Sequence, residues 1–191
     1  VLRSISSLSS SDLSVSSSSS SLRNSIAAGN LFIGSFDVNN AMTNPLKATK
    51  FGLPFRHVPT YLAGYYKYKA GNQFTEGGKP VNGKRDICDI YAIMYETSET
   101  VSTLDGTNAF TSPNLVSMAR INDAKETDEW TYFKLPFTTL PGKFIDKEKL
   151  QEGKYNISIV FSSSLEGDHF NGAVGSNLQI DEAELIYHSE N

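Results

Sequence analysis

The feature that most constrains this chain is side-chain alternation with a period of two. Tyr155, Ile157, Ile159 and Phe161 alternate with Asn156, Ser158 and Ser162, with Val160 the one apolar exception. Successive side chains of a strand point to opposite faces, so this pattern predicts a strand with one face buried. The run 87–95 is apolar on both parities except at Asp89, which suits a central strand covered on both sides. In 61–69, one parity carries Leu62, Gly64, Tyr66 and Tyr68 and is expected to face the core. The other carries Tyr61, Ala63, Tyr65, Lys67 and Lys69 and is expected to face out. Trp130 to Phe137 alternates in the same way. From Leu178 to Tyr187 the apolar parity changes midway, which predicts a β-bulge near Asp181–Glu182. Clusters of Gly, Pro, Asn and Asp separate these runs. The segment 146–153 alone reads as helical, and no internal repeat is evident. With 191 residues, 39% of them hydrophobic, the chain can bury one core. About eight strands and long loops around one core imply an all-β, two-sheet sandwich.

Residues 1–28 have a different composition. Serine dominates, with an unbroken run from Ser16 to Ser21. Such sequence buries little apolar surface. It is expected to be a linker or the tail of an upstream domain, with 29–191 forming the folded domain. The alternative is an extended strand laid against a neighbour, because Leu2, Ile5, Leu8, Leu13, Val15 and Leu22 interrupt the serines.

Several functional classes are disfavoured directly. The net charge is −4, whereas binding to nucleic-acid backbones draws on an excess of Lys and Arg. No apolar run reaches 18 residues, so no transmembrane helix is expected, and no signal-peptide pattern opens the chain. The single cysteine, Cys88, lies in an apolar run and reads as a core residue; it cannot form an intramolecular disulfide or a multi-cysteine zinc site.

The stretch 162–176, SSSLEGDHFNGAVGS, looks most like chemistry. It fails as a phosphate loop, because Ala173 and Val174 stand where lysine and a hydroxyl are required. It fails as a serine-hydrolase elbow, because no glycines flank Ser162–Ser164 and Asp168 is adjacent to His169. The other histidines, His57 and His188, are distant in sequence. It reads as a turn-rich connection into the last strand. A glycosidase needs two converging carboxylates, and Asp86, Asp89, Asp128, Glu129, Glu166 and Asp168 are the candidates. No H-x-x-x-H or H-E-x-x-H pattern is present. Asp37 and Asp181 are the pair expected to hold a structural calcium ion if the first and last strands lie side by side. The tripeptide Asn156-Ile-Ser matches a glycosylation acceptor but falls within an expected strand.

Aromatic residues make up 11% of the chain and concentrate in three of the expected strands. Sugar rings stack their C–H faces on aromatic rings and hydrogen-bond through their hydroxyls. Tyr65, Lys67, Asp86, Trp130, Asp168 and Asn171 are accordingly the candidate sugar-binding residues. The competing reading is that the aromatics fill the core and edges.

The order Gly52-Leu-Pro-Phe55, Leu62 to Gly71, Asp86 to Ala92, Trp130 with Phe133 and Pro136-Phe137, then Tyr155 to Ser164, Gly167 to Phe170, Gly172 to Ser176 and Leu178 to Glu182 resembles the putative carbohydrate metabolism domain. That family occurs at the C-termini of surface or secreted proteins of Bacteroides-type bacteria. The resemblance implies a jelly-roll sandwich similar to carbohydrate-binding and galactose-binding modules. It also implies an upstream domain, a glycan partner and an extracellular, outer-membrane or lipoprotein setting. It supplies no catalytic residues. Gly34–Asp37 and Ile180–Asp181 further resemble the module ends that hold calcium in sugar-binding jelly rolls. Three functions follow as expectations: a non-catalytic glycan-binding module, a structural or adhesin-like domain, and a glycan-active enzyme.

Overall fold

A computed structural model describes residues 6–13, 25–41 and 43–187. Its strands lie mainly in two antiparallel sheets. The front sheet has the order Ser6–Ser9, Asn177–Tyr187, Pro59–Lys69, Thr127–Pro136. The back sheet has the order Thr138–Thr139, Leu115–Arg120, Asp89–Glu96, Tyr155–Ser162, Asn30–Phe32, with Leu53–Phe55 also paired to Tyr155–Ser162. The core lies between them: Leu62, Tyr66, Phe133, Leu178 and Ile180 of the front sheet pack on Ile90, Ala92, Ala119, Ile159 and Phe161 of the back sheet. This is the expected all-β sandwich. Cys88 is buried in the same core, and burial pushes its thiol up to about 12.

The parity expected along 61–69 is observed except at Ala63, which was expected to face out and is buried. Leu62, Tyr66 and Tyr68 are buried, while Tyr65 and Lys69 are exposed and Tyr61 and Lys67 half-buried. The bulge also falls where the parity changes: the pairing of Asn177–Tyr187 with Pro59–Lys69 slips between Asp181 and Glu184. Glu182 takes a left-handed backbone (φ 49°) at that point, which lets Ile180 and Ala183 both reach the core. The one expected helix spans Lys147–Gln151, and Asp146 caps it by accepting from the Glu148 and Lys149 amides at 2.9 and 3.1 Å.

One expectation needs correction. Tyr155–Ser162 is buried on both faces, not on one. A cover formed by residues around 32–52 and 97–110 lies over the outer side of the back sheet, where Phe51, Leu104 and Ala109 pack on Tyr91, Ile93 and Val160. The polar parity of the strand is satisfied under that cover. Ser158 donates to the Ile33 carbonyl at 2.7 Å, and Asn156 donates to the Tyr95 hydroxyl at 3.0 Å and the Ser102 carbonyl at 3.1 Å. Asn156 is therefore occupied inside the fold and is not presented as a glycosylation acceptor.

Part of the serine-rich start is also described. Ser6–Ser9 pairs with Asn177–Ile180 as the edge strand of the front sheet, crossing the boundary expected at residue 29. Ser11–Leu13 pairs with Ser25–Ala27. Ser10 between them is buried, its hydroxyl 2.7 Å from that of Ser163 and 2.9 Å from that of Ser164. A serine can occupy such a position because backbone and hydroxyl are both satisfied there. His188 and the run Ser16–Ser21 lie outside the described residues.

Candidate functional site

Two surfaces collect groups that could act on a ligand. One is the outer face of the front sheet. Tyr65 stands directly across from Tyr132, their ring centroids 5.2 Å apart. The Lys67 ammonium lies 5.1 Å from the centre of the Trp130 ring, and that of Lys134 lies 4.3 Å from the centre of Tyr61. Tyr65 and Trp130 are each 36% exposed and Tyr132 51%. Alternation produces this row: Trp130, Tyr132 and Lys134 share a face, and Tyr61, Tyr65 and Lys67 point the same way from the neighbouring strand. Gln179 and Asp181 stand across from Lys67 and Tyr65 on the other flank and add polar groups.

The second is a cavity of about 340 Å³ beneath the cover of the back sheet. Asp89, Tyr91 and Arg120 line it from the sheet, Phe36 and Phe110 from the cover, and Asp168 from the loop that follows Tyr155–Ser162. Arg120 grips Asp89 with two hydrogen bonds, Nε to Oδ1 at 3.0 Å and Nη2 to Oδ2 at 2.6 Å. The guanidinium lies 4.3 Å from the centre of the Phe110 ring and 5.5 Å from that of Tyr91. The Asp89 side chain is only 5% exposed, and burial raises its pKa even though Arg120 acts in the opposite direction. Burial raises the Tyr91 phenol as well, so that group stays protonated at neutral pH.

The loop 162–176 is a structural knot and not a catalytic cluster. Asp86 is 3% exposed at its centre. Its Oδ2 accepts from the Ser164 hydroxyl at 2.6 Å, the Ser176 hydroxyl at 2.7 Å and the Ala173 amide at 2.8 Å, while Oδ1 accepts from the Ile87 amide at 3.0 Å. Gly172 passes so close that a Cβ would sit 2.4 Å from Ile26 and 3.0 Å from Asp86, and its φ of 151° disfavours any side chain. Asp168 and His169 lie on a short 3-10 turn, Gly167–His169, and hydrogen-bond to each other at 2.7 Å. The hydroxyls of Ser162, Ser163 and Ser164 are all engaged inside the fold, so no serine nucleophile accompanies that pair.

The structure thus separates the candidate sugar-binding residues. Tyr65, Lys67 and Trp130 meet on the outer face. Asp168 lines the cavity on the other side. Asp86 reaches neither surface. Asn171 is half-buried, where its Oδ1 accepts the Gly77 amide at 3.1 Å and its Nδ2 donates to Glu166 at 3.3 Å. Asp89 and Asp168 are the two candidate carboxylates that line the same cavity. Asp37 follows Gly34–Phe36, which pairs with Thr49–Phe51, whereas Asp181 lies within Asn177–Tyr187, between Ser6–Ser9 and Pro59–Lys69 in the front sheet. Each accepts a local amide, Asp37 from Asn39 at 3.0 Å and Asp181 from Glu182 at 2.9 Å. Among the described residues, no three His, Cys, Asp or Glu side chains group as metal ligands. Sequence reasoning did not assemble Asp89, Arg120, Tyr91 and Phe110. The available signal was Asp89 itself, a lone carboxylate in an apolar strand, which requires a buried cationic partner.

Among the described residues no helix is long and apolar enough to cross a membrane. No curated protein matches the sequence. Among solved structures, the chain is 86% identical to a Bacteroides thetaiotaomicron protein described as a putative glycoside hydrolase, over 86% of this chain and 48% of that one, with a TM-score of 0.85. A Bacteroides vulgatus protein with the same description is 46% identical over 94% of this chain and 71% of that one, with a TM-score of 0.84. The chain therefore spans about half the length of the first of these proteins. The family described as putative carbohydrate metabolism domain matches residues 4–186, and the chain belongs to that family.

Proposed function

We propose that this domain is a non-catalytic glycan-binding module of a surface or secreted bacterial protein. The observation that carries the reading is the row on the outer face of the front sheet, where Tyr65, Tyr132 and Trp130 lie open beside Lys67 and Lys134. The rings offer apolar faces to sugar C–H groups, and the ammonium groups offer donors to hydroxyls at the same level. An open sheet face keeps water on a bound chain, whereas glycoside cleavage needs an enclosed acid–base pair. Membership of a carbohydrate-related family supports the ligand class. Titrating soluble polysaccharides into the protein by calorimetry tests the reading. Trp130→Ala and Tyr132→Ala are each expected to weaken binding about tenfold or more, equivalent to about 1.4 kcal/mol. Binding by neither wild type nor variants across a broad glycan panel would sink the proposal.

A second reading is favoured by one observation. Asp89, its pKa raised, and Asp168 line the same cavity, as the two carboxylates of a glycosidase would. The bidentate bond from Arg120 weighs against it, because it occupies the group that would have to move a proton. Release of reducing ends that both Asp89→Asn and Asp168→Asn abolish would establish this reading in place of the first.

A further inference from the structure

The cavity beneath the cover of the back sheet is built differently from the open face, and we propose that it is a separate binding site for the end of a short, neutral saccharide. The inference rests on the reading that the domain takes carbohydrate, but it depends on different residues. Size comes first. About 340 Å³ is at the small end of the roughly 300–1,000 Å³ range of ligand pockets, enough for one or two sugar rings and too small for a long chain. The walls come from both the sheet and its cover, so a polymer would enter by its end.

Charge then narrows the ligand. Asp89, Arg120 and Asp168 are the only charged residues among those that line the cavity. Arg120 is already neutralised by Asp89, so a phosphate or carboxylate ligand would find no uncompensated cation. A cation would find only the Asp168 carboxylate, whose Oδ1 lies 2.7 Å from His169 Nδ1, and would face the guanidinium. A neutral molecule meets neither obstacle. Hydrogen bonding and packing set its chemistry. Arg120 uses Nε and Nη2 on Asp89, while Nη1 makes no hydrogen bond among the described residues, and its side chain remains 32% exposed. Nη1 can therefore donate to a ligand hydroxyl. Asp168, exposed on its 3-10 turn, can accept from one. Phe110, 39% exposed and 4.9 Å from Tyr91 between ring centroids, presents an apolar wall beside these polar groups. Hydroxyls on one side and C–H surface on the other are the two faces of a pyranose ring.

The test uses the full chain with cellobiose, maltose, lactose and β-1,4-mannobiose as probes, read by calorimetry and by ligand-observed NMR, beside a polysaccharide that binds the open face. At least one disaccharide is expected to bind intact. Phe110→Ala should weaken it tenfold or more and Asp168→Asn several-fold, while Trp130→Ala leaves it unchanged and weakens the polysaccharide. Both cavity substitutions are at exposed positions, and an unaltered unfolding midpoint confirms that the variants fold. Three results would overturn the site: no disaccharide binds although the polysaccharide does, disaccharide binding is lost in Trp130→Ala but kept in Phe110→Ala, or the disaccharide is cleaved. Polysaccharide binding that is absent while disaccharides bind in a Phe110-dependent way would remove the open-face reading and leave the cavity standing.

Discussion

Asp86 shows how one residue can look functional in sequence and prove structural in the fold. In sequence it stands between Arg85 and the apolar run that starts at Ile87, one of the candidate carboxylates, yet its side chain faces inward and accepts from the Ser164 and Ser176 hydroxyls and the Ala173 and Ile87 amides. Ser164 also contacts Ser10, so the network reaches from the N-terminal segment to the last strand. A buried donor left unpaired costs about 1–3 kcal/mol. Asp86→Ala strands several at once and is expected to lower stability by about 3 kcal/mol or more. Asp86→Asn preserves the shape and some acceptor capacity, and should fall between that variant and wild type. Urea unfolding of the three proteins measures this. An Asp86→Ala midpoint within about 1 kcal/mol of wild type would show that the network does not hold the loop.

The bulge in Asn177–Tyr187 is a device of the whole strand. Strict alternation would send either Ile180 or Ala183 out of the core, and the extra residue at Asp181–Glu182 brings both in. Glu182 adopts the left-handed backbone this requires, at φ 49° with its side chain exposed. A β-branched residue pays most heavily for that conformation. Glu182→Val is expected to lower stability by about 1–2 kcal/mol, whereas Glu182→Gly, free of the Cβ clash, stays close to wild type. Equal midpoints for the two variants would contradict a strained bulge. The bulge was legible because a parity change needs only the local sequence. The face assignment of 61–69 and the Asp146-capped helix were legible for the same reason. The double burial of Tyr155–Ser162 was not. Its serines and asparagine look solvent-facing until the cover, distant in sequence, arrives to accept their hydrogen bonds. The edge strand Ser6–Ser9 was legible only as an alternative to a linker, since Leu8 is its one apolar side chain and packs on the core from among serines. The open row of aromatics follows from alternation, so Tyr65, Lys67 and Trp130 could be chosen together. The cavity joins residues from positions near 36, 90, 110, 120 and 168, and no local pattern brings those into register.

For the whole molecule, connections around the loop 84–86 tie distant parts together through exposed carboxylates. Arg85 pairs with Glu126, which also accepts from the Ala70 amide at 3.2 Å. Lys84 pairs with Glu166 at 2.7 Å, on the loop that walls the cavity. The hydrogen bond from Arg85 holds the Glu126 carboxyl below its usual range, and that from Lys84 does the same for Glu166. A carboxyl whose pKa is lower in the folded than in the unfolded chain stabilises the fold above the unfolded value, about 4.3 for glutamate. That stabilisation is lost as the pH falls from there through the folded value. Asp89 has the opposite sign: burial raises its folded pKa, so its contribution is present below about 3.9 and is lost as the pH rises through the folded value. The acid limb of the stability curve below about pH 4.3 should therefore be carried by Glu126 and Glu166 and partly offset by Asp89. Because such pairs are solvent-screened, their effect at neutral pH is small. The double variant Glu126→Gln, Glu166→Gln should lose a few degrees of thermal midpoint at most near pH 7. Its midpoint should then fall less steeply than wild type's between about pH 4.5 and 3. Thermal melts across that range for both proteins decide it: parallel acid limbs would mean that these two carboxylates do not set the acid response and that other protonating groups do.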